Sequence, residues 1–334
     1  MNAVIQICDM GPFNVQVIRD RPGELRAAQD GRAVVTIGNF DGIHLGHRAL
    51  IRRARQLASG SGSIAVVTFE PLPQVLFQPR AAPPRLTTVY QKLDLFRSAG
   101  VDRVWLMRFD AALSRLPASD FAAQVLARGL GAVQVVVGAD FRFGHRREGD
   151  VKLLRDLGVA LGFGVDVVPA VYLGEEKISS SAIRSALAAG KFSRAAAMLG
   201  RAFRMEGHVV LGRQLGRKLG YPTANLRIRT APSPVQGVFA VFARTLGRRG
   251  KGICTWMPAV SSIGMRPTIG GTEPLLEVHF FDFDADLYGQ RLEVEFVAKL
   301  RDESHFGTID QLVAQMRRDE AEARAILARS DRPV

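Results

Sequence analysis

Residues 38–47 read Gly-Asn-Phe-Asp-Gly-Ile-His-Leu-Gly-His, between a β-branched run at 34–37 and an amphipathic segment at 50–57. A strand, a glycine-rich turn and a helix in this order are typical of the first crossover of a nucleotide-binding α/β sheet. Glycines let a ligand approach the backbone closely, and the first N–H groups of a helix attract anions. The stretch therefore predicts a turn that holds the phosphates of a nucleoside triphosphate.

The region from 33 to about 173 alternates strand-like and helix-like segments. Apolar runs predict strands at 33–37, 64–69, 104–109, 133–138 and 165–171. Helical periodicity predicts helices at 48–58, 89–98, 118–128 and 150–161. Short apolar strands separated by helices indicate an α/β fold with a parallel sheet covered on both faces.

The second half of the chain has a different pattern. Two short helices are predicted at 180–189 and 193–199, and period-two alternation then predicts strands at 204–210, 238–244, 275–283 and 291–300. These strands indicate an antiparallel sheet or small barrel. We therefore predict a first domain at 1–190, a linker at 191–202 and a second domain at 203–330.

A helix closes the second domain. Thr308 is a candidate N-cap, with Gln311 completing a capping-box pattern. One face of this helix is predicted to pack across the barrel and to carry Ile309, Leu312, Met316, Ala323 and Ile326.

The composition of the 334 residues fits a globular protein, with 47% hydrophobic and 23% charged residues. No apolar run approaches membrane-spanning length, so no membrane association is expected. The only two cysteines, Cys8 and Cys254, form no metal or disulfide motif. Both observations predict a cytoplasmic protein.

The formal net charge of +13 is unevenly distributed. Residues 201–251 contain eleven basic residues and one acidic residue. A basic stretch attracts phosphates, and nucleic acid is one such partner. Here the cations are interleaved with glycines and alternating strands rather than with aromatic platforms, which favours small phosphorylated ligands.

Several stretches of the first half carry candidate chemistry. His44 and His47 suit nucleotidyl transfer, because imidazoles and backbone N–H groups stabilise charge that grows on a phosphate. Ser180, Ser181 and Arg184 form a candidate polyphosphate clamp at a helix start, although N-capping by one serine with a solvated arginine explains them equally well. Two further stretches, 66–73 and 137–144, end strands at the predicted ligand edge of the sheet.

The second half contains the glycine-rich and basic stretch 212–225, which ends in Pro-Thr-Ala-Asn. Thr223 and Asn225 point to one side of an extended chain, and their oxygens suit Mg²⁺ that keeps several waters. A turn with a polar edge is the alternative. Glu277 lies on the polar side of a predicted strand, where it is either a base for an attacking alcohol or a solvated carboxylate. Glu293 and Glu295 are predicted to be ordinary solvated glutamates.

These motifs, in this order, resemble the prokaryotic bifunctional riboflavin kinase/FMN adenylyltransferase (FAD synthetase) family over about 33–325. The resemblance implies a Rossmann-like nucleotidyltransferase domain followed by a small antiparallel β-barrel kinase domain with a C-terminal helix. It implies ATP, riboflavin and FMN as substrates, Mg²⁺ as cofactor, and no nucleic-acid partner. The oligomeric state stays open.

In the first domain, the resemblance implies that His44 and His47 bind and activate the ATP phosphates. The implied ATP-binding residues are Gly38, Phe40, Asp41, Gly42, His44, His47, Ser180, Ser181 and Arg184. The implied flavin-binding residues are Phe69, Asp140, Phe141 and Arg142. The chain departs from the family pattern at Leu72, where histidine is frequent, and at Ser181, where threonine is usual.

In the second domain, the resemblance implies that Glu277 is the base for the 5′-hydroxyl of riboflavin and that Thr223 and Asn225 hold Mg²⁺. The implied ATP-binding residues are Gly212, Gly216, Lys218, Thr223 and Asn225. Arg301 and Glu303 are the implied flavin-binding residues. Ser262 stands where the family often has asparagine.

Two other functions are consistent with parts of this pattern. One is a nucleotidyltransferase with another acceptor, in which the barrel only binds a ligand. The other is a basic nucleic-acid-binding protein that uses the 201–251 region.

Overall fold

The computed structural model describes residues 5–6, 15–19, 32–58, 62–212, 216, 219–228, 232–246, 255–268, 271–283 and 285–333. The chain forms two compact units. The first contains residues 1–83 and 87–179, and the second contains residues 84–86 and 180–334. The predicted domains at 1–190 and 203–330, joined by a linker at 191–202, stay a prediction.

The first unit is built on a seven-stranded sheet with the order β1-β2-β5-β4-β3-β6-β7. All pairs are parallel except β1 with β2. The strands are β1 (Ile5–Gln6), β2 (Gln16–Ile18), β3 (Ala33–Ile37), β4 (Ser63–Glu70), β5 (Arg103–Arg108), β6 (Ala132–Gly138) and β7 (Gly164–Val168). Strand β3, which lies between β4 and β6, is buried throughout, as its continuous apolar run predicts.

Helices and a small hairpin complete this unit. The helices are α1 (Leu45–Leu57), α2 (Pro73–Phe77), α3 (Val89–Ser98), α4 (Ala111–Ser114), α5 (Ala118–Phe121), continued by a π-helical segment (Ala122–Gly129), and α6 (Val151–Leu161). A hairpin follows, formed by β8 (Tyr172–Leu173) and β9 (Glu176–Lys177). The predicted α/β fold class is confirmed.

The second unit begins with α7 (Ser180–Ala188) and α8 (Phe192–Leu199) and continues as a closed antiparallel barrel of six strands. The predicted linker at 191–202 therefore contains a helix. The strands are β10 (Arg204–Val210), β11 (Ala224–Arg227), β12 (Gly237–Thr245), β13 (Met257–Thr268), β14 (Gly271–Phe280) and β15 (Arg291–Arg301). The sequence did not predict β11, which is short and follows a proline, or β13, whose polar and small residues hide the alternation.

The C-terminal helix α9 (Ile309–Leu327) packs on the barrel. Ala323 and Leu327 are buried there, but Ile309 is 64% exposed, so the predicted apolar face is wrong at its first residue. The Thr308 hydroxyl accepts from the Gln311 backbone N–H, as a cap should. The Gln311 side chain, however, accepts from the N–H of Gly307 and does not complete a capping box.

The prediction that Glu293 and Glu295 are solvated is wrong. Glu295 accepts from Arg204 at 2.7 Å, and Glu293 pairs with Arg244 at 3.0 Å. Neighbouring strands place the charges side by side, since Arg204 lies opposite Glu295 and Arg244 lies opposite Glu293. Trp256 covers this network, with the two guanidinium carbons 4.7 and 4.3 Å from its ring centroid.

Candidate functional sites in the two units

The turn at residues 38–47, called the histidine turn below, has an unusual backbone in the first unit. Phe40, Gly42 and Ile43 have φ angles of 48°, 83° and 40°. A positive φ is unfavourable for phenylalanine and isoleucine, but both side chains are buried and hold the backbone in place. The core thus determines the shape of the turn.

The turn delivers its two histidines to the first turn of α1, which begins three residues earlier than predicted. His44 is the N-cap, and its Nδ1 accepts from the backbone N–H of His47 at 3.3 Å. In neutral His44 the ring proton therefore lies on Nε2. The two imidazoles stack with centroids 3.7 Å apart, and a Cβ at Gly46 would lie only 3.1 Å from the His44 ring.

The imidazole of His47 lies in a protected environment. Its Nδ1 is buried and has no hydrogen-bond partner among the described residues. Burial, and then the neighbouring charges of His44 and Lys92, hold the pKa of His47 well below 6.5. His47 is therefore neutral at pH 7, and its ring can bind a ligand without first breaking an ion pair.

This lowered pKa predicts a pH effect on stability. Below about pH 6.5 the unfolded chain protonates His47 while the folded chain does not. The free energy of unfolding of the first unit therefore decreases as the pH is lowered. In His47→Gln we expect this decrease in the free energy of unfolding to be smaller by up to about 1.4 kcal/mol for each pH unit of acidification. Amide hydrogen exchange of α1 and β3 at pH 7.5 and 5.5 measures this difference, and identical slopes for both proteins would contradict it.

Of the other turn residues predicted to bind ATP, Phe40 and Asp41 support the turn with their side chains. Phe40 packs on His47 at a centroid distance of 5.0 Å, and Asp41 is buried. The Asp41 carboxylate accepts from both the backbone N–H and the hydroxyl of Thr87, and the N–H of Gly42 donates to that hydroxyl. Gly38 is half-buried at the start of the turn. No sequence motif contains Thr87.

The candidate clamp lies at the start of α7, in the second unit. Ser180 and Ser181 are its first two residues, and the Arg184 Nε donates to the carbonyl of Pro84. This contact contradicts the alternative in which Arg184 is merely solvated. A shared role with the histidines stays a prediction.

The predicted flavin-binding residues follow two strands of the first sheet. After β6, the carboxylate of Asp140 accepts from Lys177 at 2.7 Å, and this bond lowers the pKa of Asp140. Phe141 stacks on Phe143 with centroids 5.5 Å apart, and Arg142 lies 3.5 Å from Asp150.

The remaining residue of this group, Phe69, lies near the end of β4 and packs edge-on against Phe109 at 5.7 Å. Leu72 is 2% exposed and precedes α2. It therefore packs in the core at the position where a histidine is frequent in the family.

The second unit brings its predicted residues together on adjacent strands. Asn225 lies directly opposite Glu277 across β11 and β14, and Ser262 lies opposite Glu277 on β13. Leu276 and Val278 are fully buried, while Glu277 is half-buried, which confirms the predicted alternation. Residues opposite each other on neighbouring strands point to the same face, so the three polar side chains form one row.

The Pro-Thr-Ala-Asn segment is held from β14. The His279 Nδ1 lies 2.9 Å from the carbonyl of Pro222 and donates to it, since a carbonyl can only accept. His279 also packs against Tyr221 at 5.0 Å. Sequence reasoning gave no role to His279, although its position two residues after Glu277 places both on one face.

Two surface cavities border this row. One of about 200 Å³ is lined by Thr223, Asn225, Phe280, Asp286 and Tyr288, among others. The other, about 440 Å³, is lined by Ser262, Arg301, Glu303, Phe306 and Leu312, among others.

The glycine-rich stretch begins at Gly212, which lies close to the side chain of Asn225, one of the residues that line the first of these cavities. A side chain at Gly212 would overlap the amide of Asn225, and one at Gly216 would overlap the carbonyl of Tyr221. The backbone contact makes glycine necessary at Gly216, whereas a side chain at Gly212 would displace the Asn225 amide. Lys218 lies outside the described residues.

The guanidinium of Arg301 is held by α9. Its Nε and Nη2 donate to Asp319 at 3.0 and 2.8 Å, and its Nη1 donates to the carbonyl of Asp302 at 2.9 Å. Asp319 is 4% exposed and also accepts from Gln315. No sequence signal identified this buried pair, because its partners lie on a strand and a helix.

Within the described ranges, no cluster of three or more His, Cys, Asp or Glu side chains forms a metal site. Of the helices in this part of the chain, none is both long and apolar enough to cross a membrane.

Comparison with known proteins identifies two families along the chain. Residues 26–182 match the FAD synthetase family, and residues 199–327 match the riboflavin kinase family. The bifunctional riboflavin kinase/FMN adenylyltransferase of Escherichia coli K12 is 41% identical over 311 residues, which cover 93% of this chain and 97% of the relative. The Pseudomonas fluorescens protein of the same name is 42% identical over 299 residues, covering 89% and 94%.

A solved structure is similar to this chain over most of its length. The crystal structure named "Macrolide-efflux Protein" from Streptococcus pneumoniae is 30% identical, with a TM-score of 0.77, and the match covers 92% of this chain and 98% of that one. The word efflux describes that protein and is not carried over to this chain. The matching folds extend the similarity over both units.

Proposed function

Because the chain belongs to the bifunctional riboflavin kinase/FMN adenylyltransferase family, we propose how its residues divide the two reactions. The enzyme phosphorylates riboflavin to FMN and adenylylates FMN to FAD. Its substrates are ATP, riboflavin and FMN. The proposal assigns riboflavin phosphorylation to Glu277 and its neighbours, and FAD formation to the histidine turn.

For adenylyl transfer, a phosphate oxygen of FMN attacks the α-phosphorus of ATP, and the bond to pyrophosphate breaks. FMN is already anionic, so this step needs no strong base. His44 and His47 donate hydrogen bonds to the α-phosphate as negative charge grows there, and the N–H groups of α1 add their dipoles. The stacked imidazoles and the neutral state of His47 support this role.

Other residues complete the proposed adenylyltransferase site. Ser180, Ser181 and Arg184 hold the triphosphate, a role that rests on the sequence motif. Phe69, Asp140, Phe141 and Arg142 bind the flavin, as their positions after β4 and β6 suggest, because ligands of such sheets bind at the carboxyl ends of the strands.

For riboflavin phosphorylation, Glu277 accepts the proton of the 5′-hydroxyl. The oxygen then attacks the γ-phosphorus of ATP, and ADP leaves. Asn225 lies beside Glu277, so the base and the ATP site share one face of the barrel. This adjacency is the single observation that carries the proposal, since sequence alone leaves Glu277 as one glutamate among many.

The donor set beside Glu277 fits Mg²⁺. Thr223 offers a hydroxyl and Asn225 an amide carbonyl, and the missing side chain at Gly212 leaves space for the Asn225 amide. When bound, Mg²⁺ neutralises phosphate charge. We propose that Thr223 and Asn225 hold this ion together with the ATP phosphates, and that Gly212, Gly216 and Lys218 bind the nucleotide.

Arg301 and Glu303 are proposed to bind riboflavin in the 440 Å³ cavity that they line. Asp319 would then act through Arg301. We expect Asp319→Asn to raise the KM for riboflavin about tenfold and to lower the free energy of unfolding of the barrel by about 2 kcal/mol, because it leaves a partly buried guanidinium without its charged hydrogen-bond partner. The KM for FMN in adenylyl transfer should not change.

The matched control for Asp319→Asn is Glu320→Gln. Glu320 pairs with Arg324 on the same helix in a more exposed i,i+4 bridge, which contributes little. Steady-state kinetics with riboflavin and urea unfolding measure both proteins. Equal effects of the two substitutions would show that Arg301 needs no fixed partner.

Chromatography of the products formed from riboflavin, ATP and Mg²⁺ tests the division of the reactions. FMN should appear first and FAD afterwards. A nucleotidyltransferase with another acceptor would form no FMN, and a nucleic-acid-binding protein would turn over neither substrate. The cytoplasmic location predicted from the composition stays a prediction.

A further inference from the structure

Lys92, on α3, is completely buried, with no exposed surface. Among the largest fully buried side chains of the described residues it is the only charged one. Burial of an ammonium group costs a large desolvation free energy. Such a charge therefore needs a structural or functional reason to be kept inside.

The ammonium group of Lys92 contacts the backbone of the histidine turn. Its Nζ donates to the carbonyl of Asn39 at 2.9 Å. The same carbonyl accepts from the hydroxyl of Thr68, on β4, at 3.1 Å. The Asn39 carbonyl is therefore held by one charged donor and one neutral donor.

The residues around Lys92 show that the whole start of α3 supports the turn. Thr88 and Gln91 form a capping box that fixes the first turn of the helix. The adjacent Thr87 binds both Asp41 and the N–H of Gly42. Lys92 is therefore held rigidly, one helical turn further along, with its charge directed at the turn that we propose binds ATP.

Lys92 is also electrostatically coupled to the proposed catalytic histidine. Its positive charge contributes, after burial and after His44, to the low pKa of His47. Asp41, His44 and His47 on the turn and Lys92 on α3 are ionisable groups of this region. A fixed cation here favours a polyanion above the turn and disfavours the imidazolium form of His47.

We propose that Lys92 is a positioning residue for adenylyl transfer, whose buried charge strengthens the binding of the ATP phosphates and fixes the histidine turn through Asn39. The inference rests on the proposed role of that turn. It concerns a residue outside the sequence motifs, on the helix behind the site. Lys92 acts through the turn and contacts no reacting atom in this account.

The test compares Lys92→Met with Thr68→Val in full-length enzyme. Both substitutions remove a donor to the Asn39 carbonyl with little change in volume, but only the first removes a charge. For Lys92→Met we expect the KM for ATP in FAD formation to rise about tenfold or more, since a buried charge interacts strongly with phosphates. For Thr68→Val we expect a change of less than about threefold.

A second readout follows the protonation of His47 by nitrogen-15 NMR as a function of pH. Lys92→Met should raise the pKa of His47 toward its ordinary value, because one positive neighbour is gone, whereas Thr68→Val should not. If Lys92→Met loses the native amide spectrum of the first unit, Lys92→Gln is measured against the same criteria, since it keeps a donor without the charge.

An unchanged KM for ATP in a folded Lys92 variant would overturn the inference, and so would equal effects of Lys92→Met and Thr68→Val. Such a result is distinguishable from failure of the proposed site. If His47→Asn keeps full FAD formation, the assignment of the histidine turn is wrong. If His47→Asn is inactive while Lys92→Met is normal, only the role of Lys92 is wrong.

Discussion

Replacing Glu277 by glutamine is expected to reduce the kcat for riboflavin phosphorylation about a thousandfold, because a neutral amide cannot accept the proton of the 5′-hydroxyl. Glu277 is half-buried on β14 between Asn225 and Ser262, so glutamine fits the same space. The KM for ATP should change little. Initial rates of FMN formation from riboflavin and ATP measure the effect.

The same chain provides the control for Glu277→Gln. FAD formation from added FMN should keep its wild-type rate, since adenylyl transfer is assigned to the histidine turn and its clamp, which do not include Glu277. Glu277→Asp keeps a carboxylate but withdraws it by one methylene, and it should retain more phosphorylation than the glutamine variant. Wild-type rates of phosphorylation in Glu277→Gln would remove the proposed base.

The second large effect is expected at the histidine turn. His47→Asn should reduce the kcat for FAD formation by a factor of about 100 to 1,000, the loss typical of one donor to a transition-state oxyanion. Asparagine places an atom near the position of Nδ1 but nothing near Nε2. Phosphorylation of riboflavin should be unaffected, and rates of FAD formation from FMN and ATP check both expectations.

His47→Gln is the matched control, because the glutamine amide reaches the position of Nε2 and can donate there. It should retain more FAD formation than His47→Asn. If both variants are equally impaired, burial of the ring against Phe40 rather than a hydrogen bond at Nε2 explains the need for His47. Full activity of both would disprove its catalytic role.

Much of the first sheet was predictable, because buried parallel strands are continuous apolar runs. The run at β3 was predicted at its observed bounds, and α3 was predicted to the residue. The start of α1 was not, since His44 is an uncommon N-cap and the polar residues before Arg48 interrupt the apolar periodicity. A local sequence pattern predicts local structure well where the element is buried along its length.

The supporting contacts of the sites were not predictable in the same way. Lys92 and Thr87 reach the histidine turn across about 50 positions of sequence, and Asp319 reaches Arg301 from a different element. In a single sequence, Lys92 is one polar residue in an amphipathic helix. Only the packing shows that its charge is buried.

The ion pairs of the barrel show a different error, in which the face of a residue is predicted correctly but its environment is not. Alternation correctly placed Glu293 and Glu295 away from the barrel interior, but this face is not open to water there. Arginines on the adjacent strands and Trp256 cover it. The period of a strand gives the face of a residue, and the neighbouring elements decide its environment.

Complementation between two single-site variants tests the central claim, that the two reactions use separate catalytic residues, Glu277 for phosphorylation and the histidine turn for adenylyl transfer. Neither Glu277→Gln nor His47→Asn alone should convert riboflavin, ATP and Mg²⁺ to FAD at an appreciable rate. An equimolar mixture of the two should do so, with FMN released by one protein and adenylylated by the other. Failure of the mixture, when wild-type enzyme forms FAD under the same conditions, would contradict this account.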